Sequence, residues 1–177
     1  ATDVTVIGHN ALGGLVGYAE ADITSSYSSD VTLSGNQSIG GFVGNHTDGM
    51  IDQSHASSVT IHSVNTAGGF VGDMHGVSPY HPVITDSYSQ GFNITTVEDS
   101  STKWLAVAGF IGAIANDSTN GGVVQKSFAK DGTITISNGP SGIVTTAAGF
   151  VGGAGNSTGS LVENCYAANI NITGNDL

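Results

Sequence analysis

Five times along the chain a small glycine-bounded block returns: Gly13-Gly14-Leu15-Val16-Gly17, Gly40-Gly41-Phe42-Val43-Gly44, Gly68-Gly69-Phe70-Val71-Gly72, Ala108-Gly109-Phe110-Ile111-Gly112 and Ala148-Gly149-Phe150-Val151-Gly152. The closing glycines lie 27, 28, 40 and 40 residues apart. Self-similarity at such a spacing marks a stack of structural units in which each repeat buries its apolar face on its neighbours. The repeats fill nearly all of the 177 residues, so a single continuous core over residues 1–177 is expected, as one repeat domain of a longer array or filament.

Two further segments recur in step with the glycine block. The first runs apolar-x-x-Ser/Cys-aromatic-small, in copies from Ile23 to Ser28, Ile51 to Ala56, Ile84 to Ser89, Val124 to Ala129 and Val162 to Ala167, with His55 standing in the aromatic column. The second places apolar residues around a Thr or Asn: Val4-Thr5-Val6, Val31-Thr32-Leu33, Val59-Thr60-Ile61, Phe92-Asn93-Ile94, Ile134-Thr135-Ile136 and Ile170-Asn171-Ile172. Each is short, rich in β-branched or aromatic residues and bounded by Gly, Asn, Asp or Ser, which is a strand signature; no helical periodicity accompanies it. Three short strands per coil, equivalent strands stacked in parallel, predict an all-β, right-handed parallel β-solenoid (β-helix) of about five coils. Period-two alternation turns Val31 and Leu33 inward and Thr32 outward. Phe42 and Val43 are adjacent and cannot both point inward on a regular strand, so a bend is expected in the glycine block, by positive φ or by close backbone approach. The longer repeats carry loop insertions around Val77–Pro82, Glu98–Trp104, Ile114–Gly122 and Gly139–Thr146, where a solenoid commonly carries specificity.

The aligned residues resemble the GLUG-motif repeat proteins, named for a Gly-Leu-apolar-Gly core. Gly13-Gly14-Leu15-Val16-Gly17 matches that core, and Val162-Glu163-Asn164-Cys165-Tyr166-Ala167 resembles the segment that follows it. The resemblance covers residues 4 to 174, with Phe for Leu in four of five cores. It implies a secreted or surface-attached, adhesin-like β-solenoid, of the kind also present as non-catalytic regions of some immunoglobulin A peptidases.

Composition narrows the function. Three lysines and no arginine stand against fourteen carboxylates, which argues against nucleic acid or an anionic membrane surface as partner. No apolar run is long enough for membrane insertion as a helix. Cys165 is the single cysteine, so no internal disulfide is expected, and its column with Ser26, Ser54, Ser87 and Ser127 reads as a ladder of small residues. Six sequons, at Asn36, Asn45, Asn93, Asn116, Asn156 and Asn171, point to an extracellular, glycosylated chain with most of the acceptors on turns or outer faces.

Three places bring together residues that could carry chemistry. Asp73, His75 and His81 share an inserted loop, but turn histidines of this kind are more often solvated than ligating, and no metal or other cofactor is expected. The carboxylate pairs Glu98–Asp99 and Asp48–Asp52 lack the basic partners that a polysaccharide-cleaving enzyme would need, and no His-Glu-x-x-His motif occurs, so no catalytic residue is expected. The outer column Thr5, Thr32, Thr60, Asn93, Thr135 and Asn171 is the candidate binding face, with Ile7, Ser34, His62, Thr95, Ser137 and Thr173 in the column two residues on. The expected function is a non-enzymatic extracellular structural or adhesive module. It would continue end to end, covalently or by self-association, and engage a surface glycan or protein ligand. An ice-binding or glycan-binding face is the alternative, and a polysaccharide lyase or hydrolase comes third.

Overall fold

A computed structural model describes residues 1–76, 79–97, 104–114, 121–137, 144–155 and 159–174. Among them every regular element is a strand, and every strand pairing is parallel. Four sheets line the solenoid. Sheet A holds six strands, Thr2–Ile7, Tyr27–Gly35, His55–Ser63, Tyr88–Val97, Phe128–Ser137 and Tyr166–Gly174. Sheet B holds five, Asn10–Gly13, Gln37–Gly40, Ala67–Gly68, Trp104–Ala108 and Val144–Ala148. Sheet C runs through Val16–Ala19, Val43–His46, Val71–Met74, Ile111–Ile114 and Val151–Ala154; sheet D through Ile23–Thr24, Met50–Asp52, Val83–Thr85, Val123–Gln125 and Leu161–Glu163. The parallel solenoid of about five coils is therefore as expected, but a coil has four strands and not three.

The extra strand comes from the glycine block, which is a corner and not a strand. Sheet B ends at Gly40 and sheet C begins at Val43, so the bend at Gly41 and Phe42 lets both Phe42 and Val43 face the core, where each is fully buried. Close approach makes these glycines necessary. A Cβ on Gly41 would stand 2.2 Å from the Gly69 carbonyl oxygen of the next coil and 2.9 Å from the Val59 side chain reaching across from sheet A. Positive φ occurs elsewhere, at bends within strands and at one corner. One column comprises Asp3, Asp30, Ser58, Gly91, Asp131 and Asn169, with φ between 53° and 67°, and bends every sheet A strand at the same place. A second, Ser25, Gln53, Asp86, Lys126 and Asn164, turns sheet D into sheet A. Asp and Asn tolerate this left-handed region better than most residues, which suits them to corners.

The core is built of like residues stacked on like. From sheet A, Leu33, Ile61, Ile94 and Ile134 form one fully buried file, and Val31, Val59 and Phe92 form the next. From the B–C corner, Phe42, Phe70, Phe110 and Phe150 stack with ring centroids 4.8, 4.9 and 4.8 Å apart and planes within 7° of parallel. Leu15 takes the corresponding place in the first coil. Backbone ladders run between coils throughout, so each coil is held by its neighbours on both hydrogen bonds and packing.

One register differs from expectation. Asn93 pairs with Thr133, and Thr133 with Asn171, so the outer column is Thr5, Thr32, Thr60, Asn93, Thr133 and Asn171. Thr135 falls one column over, between Thr95 and Thr173. The reason is Phe92. Its ring extends into the next coil, where a Cβ on Gly132 would lie 2.1 Å from it, so Gly132 and not Ile134 occupies the inward position. Sliding Ile134 into that position to match Phe92-Asn93-Ile94 would overpack the core.

Candidate functional site

The recurring columns are the first candidates for chemistry, and hydrogen bonds and ring stacking account for the serine and aromatic columns within the scaffold. Ser54, Ser87 and Ser127 each donate from the hydroxyl to the carbonyl two residues back, at 2.9, 2.7 and 2.8 Å. Each of these hydroxyls also accepts the amide of the preceding coil's serine, from Ser26, Ser54 and Ser87 respectively, all at 3.2 Å. A hydroxyl so engaged joins successive coils. Cys165 closes the file with its thiol on the Glu163 carbonyl at 3.2 Å, and burial raises its pKa, the reverse of what a reactive thiolate needs.

The aromatic column stands on the outside of sheet A. Tyr27, His55, Tyr88, Phe128 and Tyr166 stack face to face at 5.4, 4.7, 4.9 and 5.1 Å, with planes within 11° of parallel. Both faces of the three inner rings are covered by neighbouring rings, so only ring edges and the two end faces are open to a ligand. Burial between Tyr27 and Tyr88 holds the His55 pKa below its ordinary value, consistent with a neutral ring in a stack.

On the outer Thr/Asn column, Thr5, Thr32, Asn93 and Asn171 are exposed and Thr60 and Thr133 are half-buried. The adjacent column reads Ile7, Ser34, His62, Thr95, Thr135 and Thr173. Ile7, at 81% exposure, and the exposed His62 break the hydroxyl array over its first half. A shallow groove borders this column at the A–B corner, lined by Ile7, Ser34, Asn36, His62, Thr95 and Val97 among others.

The remaining candidates separate. Asp73 and His75 meet at 3.2 Å, while His81 is exposed, and no three metal-ligating side chains converge among the described residues. Glu98, Asp99, Asn116 and Asn156 lie outside the described residues. Of the other sequons, Asn93 and Asn171 are exposed on sheet A, and Asn36 is half-buried with its amide nitrogen 3.5 Å from the His9 ring. Asn45 departs from the expectation of a turn or outer face. It sits within a sheet C strand with its side-chain oxygen buried and unbonded, and Thr47 of the same sequon is buried.

A cavity that the sequence did not point to lies at the C–D corner. Its volume is about 480 Å³, and Tyr18, Glu20, Thr47, Asp48 and Tyr80 line it. The first two coils contribute the short C–D connections that hold Glu20 and Asp48, and the insertion of the third coil brings Tyr80 over them. Tyr18 and Tyr80 are 52% and 53% exposed. Asp48 was paired in the sequence with Asp52, but Asp52 is a sheet D strand residue and Asp48 faces the cavity with Glu20.

Four stacked parallel sheets with in-register side-chain columns define a β-solenoid repeat protein. The family model described as the GLUG motif matches residues 8–34 and 35–61, so these two successive turns are GLUG repeats, each one coil long. No curated protein gives a significant match to the chain, and no solved structure does.

Proposed function

We propose that the chain is a non-enzymatic structural and adhesive module that works outside the cell. One observation carries this reading: the serine and aromatic side chains recur as columns, and those columns are hydrogen-bonded or stacked between coils. The serines cap carbonyls and accept amides, and the aromatic rings cover one another. Such a molecule is a stiff rod whose sides and inserted loops are left for contact. The acidic surface, with a formal net charge of −11, suits a solvated extracellular face. Asn93 and Asn171, exposed on sheet A, are the sequons best placed to carry glycans.

End-to-end continuation, into further repeats or by self-association, is part of the reading, because stacked parallel strands pair edge to edge.

Antibody against the folded chain, applied to intact and then to permeabilised cells of the organism that makes it, tests the extracellular assignment. Labelling of intact cells, or recovery of the protein from the medium, is the expected result. Labelling that needs permeabilisation contradicts the proposal.

A further inference from the structure

We infer that the C–D corner cavity is a binding site for an alkylammonium group. The inference goes beyond the scaffold reading and holds whether or not the module is extracellular. It rests on the chemistry of the lining. Glu20 and Asp48 supply carboxylates, which when ionised accept hydrogen bonds and donate none. The Thr47 hydroxyl is turned back on the Ala19 carbonyl at 3.4 Å. Tyr18 and Tyr80 add two half-exposed rings, and among the described residues no lysine, arginine, histidine or amide side chain lines the cavity. Two carboxylates thus line one space without a neutralising side chain among the described lining residues, and the chain has only three lysines to offer.

A ligand complementary to this lining donates hydrogen bonds or carries positive charge, and presents little that must be donated to. A neutral sugar fits less well, because its hydroxyls accept as well as donate and the carboxylates leave the accepting half unmet. An ammonium on an alkyl stem meets both requirements. It is attracted by the carboxylates and by the negative faces of the tyrosine rings, and its stem covers apolar ring surface. A volume of about 480 Å³ holds such a group with room for its stem. The walls come from three successive coils, with Glu20 and Asp48 one coil apart in equivalent connections and Tyr80 in the insertion of the third.

The same chemistry is offered by a quaternary ammonium head group and by a lysine side chain, and the test separates them. Chemical shifts of the intact chain are followed by NMR during titration with choline, with N-acetyl-lysine amide, with 3,3-dimethylbutanol as the neutral isostere of choline, and with a neutral hexose. Saturable shifts at Tyr18, Glu20, Asp48 and Tyr80 are expected with at least one cation, at an affinity roughly tenfold or more above that of the neutral isostere. Tighter binding of choline assigns the quaternary source, and tighter binding of the lysine amide assigns the peptide source. Glu20→Gln with Asp48→Asn should weaken the cation by roughly tenfold, while Ser29→Ala on sheet A leaves it unchanged. Tyr18→Phe, which keeps the ring, should retain binding. Equal affinity for the neutral isostere, binding of the hexose alone, or no saturable binding of either cation overturns the inference.

Discussion

Replacing Phe70 with alanine is expected to destabilise the chain by about 4 kcal/mol, the cost of deleting a fully enclosed ring from a packed core. Phe70 is fully buried and lies between Phe42 at 4.8 Å and Phe110 at 4.9 Å, so its loss opens a cavity with rings on both sides. The surrounding glycines cannot close it. Gly68, Gly69 and Gly72 already stand in backbone contact with the neighbouring coils and carry no side chain of their own that could move in. Phe150 ends the described stack with one ring neighbour, Phe110 at 4.8 Å, and is only half-buried. Phe150→Ala should therefore cost about half as much or less. Urea unfolding of the two variants measures the difference. Because each coil contacts only its neighbours, the Phe70 variant should also show a lower m-value or a second transition, as the stack divides at the weakened coil. Equal costs at the two positions would contradict the stacking account.

The second large effect is pH-dependent. His46 is on sheet C in the inward file Ala19, His46, Met74, Ile114 and Ala154, fully buried, and neither ring nitrogen makes a hydrogen bond of regular geometry. Burial holds its pKa down to about 4 from an ordinary 6.5, against smaller opposing contributions from the Asp48 and Gly49 backbone and the Asp48 charge. The unfolded chain takes up this proton as pH falls below about 6.5, while the folded chain resists until about pH 4. Its contribution to stability is thus complete above pH 6.5 and is lost between there and pH 4, a loss of about 3 kcal/mol from one residue. His46→Met supplies the residue that Met74 already places in the next coil of the same file. The stability difference between variant and parent should grow in the variant's favour by about 3 kcal/mol between pH 7 and pH 4, by denaturant unfolding at each pH. A difference that does not change with pH would show that His46 titrates normally in the folded state.

Much of the scaffold was legible in the residues, because a solenoid repeats its physics. The alternation around Thr32 placed Val31 and Leu33 inside, and the adjacency of Phe42 and Val43 announced the corner between them. What failed did so for local reasons. The D–A corner falls inside the recurring segment Ile23 to Ser28, where a left-handed Ser, Gln, Asp, Lys or Asn has no single residue signature. Thr135 was placed one column off because Gly132-Thr133-Ile134-Thr135-Ile136 offers two apolar-flanked threonines in succession, and only the reach of the Phe92 ring selects between them. The C–D cavity was not visible at all. Tyr18, Glu20, Asp48 and Tyr80 stand outside every recurring segment except the first glycine block's edge, and they meet only when three coils are stacked. Sequence insertions did mark the loop that brings Tyr80 there, which is the part of the site a repeat alignment can find.

The most direct test of the account is a distance across sheet A by electron spin resonance, in a Cys165→Ser background that restores the serine of that column. Spin labels at Thr5 and Asn171 lie in one register column, five strand steps apart, which corresponds to about 24 Å. Moving the first label from Thr5 to Thr60 removes two steps and should shorten the distance by about 10 Å, a difference in which the length of the label cancels. A distance that stays the same, or one that lengthens, would contradict the parallel in-register stack on which the rest depends.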